Sequence, residues 1–402
     1  MALRVAVIGA GPIGLEAALE GARRGFEVRL YEAGRVGEHL RRFGAVTLFT
    51  PFGMNSSPEG RARLRAEGVS LPNETSPLTA DELVEWYLVP LARLPNLASS
   101  IREGERVTHV GREGLAKGEG GREGRGFLVR VEPVGGGAPR FDHADVVIDT
   151  TGIYGQPNAT GPGGLPAAGE EQLEGAVARH LDPSLRSATG PYGRGTTLLI
   201  GDGHSAATAL VWLDHAARTG AVHEVHWISR ERFVPFPGIE GDPLPSRFEL
   251  ARKANEIAAG ALWLTRHPGA AVAAYERHGE RIHVTLAEGG TLEVDRVLAL
   301  VGYRPDVVMT RELQVHYCYA SEGPMKLAAA IRGSAGAGGD CLAQVAHGPE
   351  SLQNPEPDFF VLGAKSYGRN PQFLLSMGHQ QVRDAFQLIG SATETGAPAH
   401  AR

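Results

Sequence analysis

Val5-Ala6-Val7-Ile8-Gly9-Ala10-Gly11-Pro12-Ile13-Gly14 decides the fold of this chain. A short β-branched, apolar run ends in G-x-G-x-x-G and opens straight into the Ala/Leu-rich helical pattern Leu15–Arg24, which stops at Gly25 as a C′ glycine. In such a turn the first glycine permits the tight bend, and the second lets backbone approach a pyrophosphate. The third lets helix and strand pack closely, with the phosphates on the helix N-terminus. A second strand, Glu27–Tyr31, then delivers Glu32, eighteen positions after Gly14, near the spacing of a carboxylate that binds a ribose diol.

The pattern recurs at mid-chain. Thr197-Leu198-Leu199-Ile200-Gly201-Asp202-Gly203-His204-Ser205-Ala206 is again strand, glycine turn and helix, with Ala206 as the third, small position. The strand after its helix, Glu224–Ile228, is followed by Ser229-Arg230-Glu231-Arg232 in place of an acid. A guanidinium there suits a 2′-phosphate, so Arg230 favours NADPH over NADH. Two fingerprints in one chain suggest two nucleotides meeting across a domain boundary, as when a nicotinamide passes a hydride to a flavin.

Length and composition agree. The chain has 402 residues, 42% of them apolar and 21% charged, enough for a large core in two or three domains. A net charge of −6 offers no electrostatic footprint for nucleic acid. The sequence lacks a run of 18 apolar residues, and Met1 leads directly into a core strand, so a cytoplasmic protein without membrane span or signal peptide is expected. The two cysteines, Cys318 and Cys341, make no disulfide scaffold. The glycine-rich stretches 111–126 and 333–339 read as surface loops with no chemistry of their own.

Between and after the fingerprints lie further landmarks. Thr79 and Glu82 form a capping box for a helix through Leu88, and strands near 106–110 and 127–134 form a small antiparallel layer. Val146–Thr151 is a buried strand ending at Gly152, and Arg296–Val301 a matching strand leading to Gly302-Tyr303-Arg304. After the strand Asp358–Leu362 and Gly363, Asn370-Pro371 reads as the cap and first position of a terminal helix through Ile389. The expected architecture is α/β, with two Rossmann-like (FAD/NAD(P)-binding) domains, the second inserted in the first, each holding a parallel sheet and a small antiparallel layer. Residues 1–155 and 306–402 would form the first domain, 193–305 the second, and 156–192 the crossover.

These landmarks resemble the two-dinucleotide-binding flavoproteins, in particular the flavin-containing monooxygenase group. Val146–Gly152 followed by Tyr154-Gly155-Gln156-Pro157 is similar to that group's Ala-Thr-Gly strand. Leu173–His180 sits where the group carries F-x-G-x-x-x-H, with Leu for Phe and a gap one residue longer before His180. Gly37–Pro51 and Gly363–Leu375 resemble the subgroup associated with arsenic-resistance genes; no counterpart is recognised for Cys318–Cys341. The resemblance implies FAD and NADPH as cofactors, a small soft nucleophile and O₂ as partners, oxygen transfer through a flavin C4a-(hydro)peroxide, and a homodimer as a candidate assembly. Taken with the two glycine motifs, the expected cofactor-binding residues are Gly9, Gly11, Pro12, Gly14, Glu32, Thr151, Gly152, Gly201, Gly203, Ser205, Ala206, Ser229, Arg230, Gly302, Arg304, Gly363, Asn370, Gln372 and Phe373.

Reduced flavin carries negative charge that a helix N-terminus stabilises, and the helix expected at Asn370-Pro371 is the natural candidate. Lys365 and Arg369 would add charge there or stand as solvated loop cations. Asn55 resembles the asparagine beside the flavin in related monooxygenases, against the alternative of a turn residue. Two other activities stay open. One is an NADPH-dependent reductase of a small disulfide or other acceptor, although the chain lacks the C-x-x-C of a dithiol reductase. The other is a non-catalytic flavin- and nucleotide-binding sensor.

Overall fold

The computed structural model describes residues 2–173, 175–230, 236, 238, 242, 244–334 and 347–394. Its chain divides into two compact units. The first gathers the residues up to Arg41, Thr50–Gln156 and the chain from Arg304 onward; the second gathers Arg42–Phe49 and Pro157–Tyr303. Of residues 156–192, expected as a crossover, all but Gln156 cluster with the second unit, as does the short Arg42–Phe49 segment.

In the first unit a parallel sheet runs in the order Phe359–Val361, Val146–Asp149, Arg4–Ile8, Glu27–Glu32, Ile101–Glu103. The central strands are continuous apolar runs because helices cover a parallel sheet. Helix Pro12–Arg23 packs on helix Leu375–Glu394, where Phe26 stacks on Phe386. The expected antiparallel layer is present as Glu105–Arg112, Phe127–Pro133 and Arg140–Ala144. The loop between the first two of these strands is no idle insertion. Its Arg122, together with Arg112, forms a buried ion cluster on Glu356, and Arg112 also stacks on the Phe127 ring. Burial pushes the Glu356 carboxyl up, but the two guanidiniums and the Gln314 amide outweigh it and hold it below its ordinary range.

In the second unit the parallel sheet runs Val177–Ala178, Arg296–Ala299, Arg194–Ile200, Val222–Ser229, Leu264–Pro268. Its antiparallel layer is Val272–His278, Arg281–Leu286 and Thr291–Val294. Helices His204–Arg218 and Pro245–Gly260 bury Ala206, Leu210, Leu213 and Ala254 against Leu199, Val225 and Trp227. The architecture is the one expected, with two parallel sheets, each with its own antiparallel layer.

One local expectation fails and a second holds with a modification. The terminal helix does not open at Asn370-Pro371 but at Leu375. The Asn370 side chain instead accepts the amide of Gln372 at 3.0 Å, closing a turn that Pro371 fits equally well. The helix capped by Thr79 and Glu82 has its box, but after Leu83 it widens into a π-turn over Val84–Leu88 before Val89–Ala92 resumes.

Candidate functional site

Each glycine fingerprint is closed on the protein side and open on the other. In the first, Gly9 has φ +100°, and a Cβ there would stand 2.9 Å from the Thr150 carbonyl oxygen. A Cβ on Gly14 would lie 1.8 Å from the Gly9 carbonyl oxygen. A Cβ on Gly11 would meet nothing within 4 Å, and Gly11 caps helix Pro12–Arg23 without any side-chain cap. The result is a cradle with free helix-terminal N–H groups where an anion can approach. The Thr150 hydroxyl fixes its shape by donating to the carbonyls of Ile8 (2.8 Å) and Gly9 (2.9 Å).

Glu32 ends the second strand beside this turn. One carboxylate oxygen accepts the Ala10 amide at 2.8 Å and the other the Gly34 amide at 2.7 Å. Burial pushes its carboxyl up, against the pull of the Gly34 and Ala10 donors. Gly152, at φ +69°, also has open space where a Cβ would stand. Gly363 takes φ +76° and would press a Cβ on Ile13 at 3.3 Å. Its amide donates to Gln381 at 2.8 Å.

Lys365 is not a solvated loop cation. It is 1% exposed, and its ammonium donates to Asp149 at 2.6 Å and to the Thr151 hydroxyl at 3.0 Å. Thr151 in turn donates its amide and hydroxyl to the other Asp149 oxygen. The charge expected beside a flavin is thus held in a buried pair under the Thr151-Gly152 turn. Arg369 lies 3.8 Å from Glu322, which also takes Arg304. Phe373 stacks edge-on against Tyr367 at 5.4 Å. Asn55 is 2% exposed, and its amide is turned on its own loop: Oδ1 accepts the Thr50 hydroxyl at 2.6 Å and Nδ2 donates to the Thr50 carbonyl at 2.8 Å.

The second fingerprint repeats the cradle. Gly201 takes φ +133°, with the Leu300 carbonyl oxygen 2.3 Å from any Cβ, while Gly203 has nothing within 4 Å and caps helix His204–Arg218 without a side-chain cap. Ser205 is half-buried and Ala206 fully buried, as a small third position requires. Trp227 secures the turn by donating its indole N–H to the Gly201 carbonyl at 2.7 Å. Ser229 is buried, and Gly302 takes φ +79°. His180 stacks on Tyr303, with Nδ1 2.7 Å from its hydroxyl; burial and the charge of Arg42 push its pKa down.

Arg230 reaches solvent at the expected ribose position, with a side chain 90% exposed. Its fork is engaged, however. Asp202, inside the glycine turn, accepts Nη2 at 2.8 Å, Nε at 3.2 Å and the Arg230 amide at 3.2 Å. Arg232 and Cys341 lie outside the described residues, and Cys318 is a half-buried free thiol. Sequence reasoning missed Thr150, Asp202 and the Asp149–Lys365 pair. Asp149 did carry a signal: an acid closing an otherwise apolar buried strand needs a partner.

Among the described residues, no helix is long and apolar enough to cross a membrane. No protein-family model matches the chain, and no curated protein matches it in sequence. Solved structures do match in fold. The bacillithiol disulfide reductase of Bacillus cereus superposes with a TM-score of 0.67 at 19% identity, covering 98% of this chain and 100% of that one. The FAD-bound cadaverine monooxygenase of desferrioxamine biosynthesis from Erwinia amylovora gives 0.64 at 14%, covering 97% and 95%. A flavin-containing monooxygenase from Stenotrophomonas maltophilia gives 0.58 at 18%, covering 98% and 99%. The chain thus has the fold of two-dinucleotide-binding flavoproteins that include both disulfide reductases and monooxygenases.

Proposed function

We propose that this chain is an oxidoreductase holding FAD on its first unit and NADPH on its second. The reading rests on the two glycine cradles, each closed by backbone on one side and open at Gly11 or Gly203 on the other. When bound, the flavin would supply hydride acceptance from the nicotinamide and electron delivery to O₂ or another acceptor. The chain's part is to bind and orient. The uncapped N–H groups behind Gly11 receive a pyrophosphate, and the Glu32 carboxylate, held by Ala10 and Gly34, accepts ribose hydroxyls. The amides behind Gly203 and the Arg230 guanidinium do the same for the second nucleotide.

Within that class, the absence of a C-x-x-C pair favours a monooxygenase acting on a small soft nucleophile, which keeps its oxidising equivalent on the flavin and needs no protein dithiol to relay electrons. One observation supports a reductase of a small disulfide as second reading. The Ser321 hydroxyl and the amides of Ser321 and Ala320 hold the Cys318 thiol below its ordinary pKa. The deciding experiment replaces Cys318 and Cys341 by Ser and follows NADPH oxidation, O₂ uptake and thiol release per bound FAD. A monooxygenase keeps substrate-stimulated O₂ uptake. A variant that retains FAD and is still reduced by NADPH, yet loses turnover, makes the reductase reading the correct one.

A further inference from the structure

The outward face of the small antiparallel sheet in the second unit carries a histidine–carboxylate cluster that the proposed redox chemistry does not use. Strand Val272–His278 turns through Gly279-Glu280 into Arg281–Leu286, with Gly279 at φ +65°. A left-handed glycine opening a two-residue loop gives a tight hairpin of fixed register. That register sets Glu276 opposite His283 and His283 opposite Glu293. Because strand side chains alternate, His278 falls on the same face as Glu276, while Ile282, Val284 and Val294 point to the buried side.

We propose that His278, His283 and Glu293 bind one divalent transition-metal ion, Zn²⁺ in first place, with Glu276 as the carboxylate behind His278. The three residues each offer a ligand atom, and these atoms all lie within 4.8 Å of one another. Both imidazoles turn Nδ1 to the same oxygen, Glu293 Oε1, at 2.6 Å from His283 and 3.6 Å from His278. Donors around a tetrahedral ion with bonds of about 2.0–2.1 Å stand roughly 3.3 Å apart, so the two distances bracket what the ion requires.

A second feature is built as metal sites are built. The other nitrogen of His278, Nε2, lies 3.5 Å from Glu276 Oε2. A carboxylate behind a ligating imidazole fixes its tautomer and raises its basicity. The Arg281 guanidinium beside the cluster is engaged elsewhere, with Nε 3.5 Å from Asp295 and Nη2 on the Glu293 backbone carbonyl at 2.5 Å. Two imidazoles and a carboxylate form a mixed N/O set that suits Zn²⁺ over Ca²⁺ or Mg²⁺, which take oxygen ligands. Water would complete the shell on this solvent-facing sheet, and the ion would tie all three strands together.

The test titrates ZnCl₂ into the untagged, EDTA-stripped full chain, with a chromophoric chelator as competitor. One equivalent is expected to bind, and His278→Ala and His283→Ala should each lose it. Glu276→Gln should weaken binding by about 10–100-fold. The His226–His267 pair of the parallel sheet, with ring nitrogens 3.0 Å apart, serves as control, and its double alanine variant should still take up one equivalent. Circular dichroism establishes that each variant is folded. Absence of stoichiometric uptake by the folded protein, uptake unchanged in the His278→Ala/His283→Ala double variant, or loss of uptake in the control would each overturn the site.

Discussion

On the proposed reading, nucleotide choice in the second unit turns on how much of Arg230 is free, and its pairing with Asp202 makes this measurable. A 2′-phosphate bound by Arg230 would gain a charge-assisted contact of about 1.5–3 kcal/mol. To offer its fork, Arg230 must release Asp202. That pair is bidentate, but the Arg230 side chain is 90% exposed, so its release costs only about 0.2–1 kcal/mol. The difference, roughly 0.5–2.8 kcal/mol, corresponds to a preference for NADP⁺ over NAD⁺ of roughly 2- to 100-fold. Asp202→Ala removes the competitor and should tighten NADP⁺ by roughly 1.4- to 5-fold with little change for NAD⁺. Arg230→Ala should bring the two nucleotides together. Binding constants for both, from calorimetry or from quenching of Trp227, whose indole holds the Gly201 carbonyl, provide the assay. If Arg230→Ala weakened NADP⁺ and NAD⁺ equally, the phosphate assignment would be wrong. If Asp202→Ala left NADP⁺ binding unchanged, the competition argument would fall.

Three further outcomes are expected. Gly11→Ala should leave the melting temperature of the FAD-free protein unchanged and impair FAD retention, because its Cβ meets nothing; Gly14→Ala should destabilise by about 1–3 kcal/mol or more, since its Cβ stands 1.8 Å from the Gly9 carbonyl, and calorimetry of both separates the roles. Lys365→Met should cost about 3–5 kcal/mol in urea unfolding by stranding the buried Asp149 carboxylate, and Asp149→Leu/Lys365→Met should recover much of the loss. Burial, with the charges of Arg383 and Arg61, pushes buried His379 down to about 4. Unfolded, it takes up a proton near pH 6.5, so its contribution is complete above that pH and is lost as pH falls toward 4; His379→Gln should flatten this slope in urea midpoints measured from pH 7.5 to 4.5.

The architecture was legible because its determinants are local. Gly9 and Gly201 need left-handed φ, the strands beside them are unbroken apolar runs, and Glu32 follows at a fixed spacing. Side-chain partnerships were not. Lys365 and Asp149 are separated by 216 positions, and nothing in the neighbourhood of either names the other. Arg230 looked like a free phosphate ligand because its partner sits 28 residues earlier, inside the motif read for its glycines. Asn370-Pro371 satisfied the chemistry of a helix start, but the same two residues close a turn. The metal cluster stayed hidden because its register across three strands is set by a hairpin rather than by sequence spacing.

The return of Phe359–Val361 to pair with Val146–Asp149 has a consequence for biosynthesis. Apart from the short Arg42–Phe49 segment, the second unit is contiguous from Pro157 to Tyr303, so it is complete in the nascent chain while the first still lacks an edge strand and Lys365. Until the ribosome has delivered those residues, one flank of Val146–Asp149 remains an unpaired apolar edge, with Asp149 as its single charge. In the finished fold the same return segment closes that flank and brings Lys365 onto Asp149.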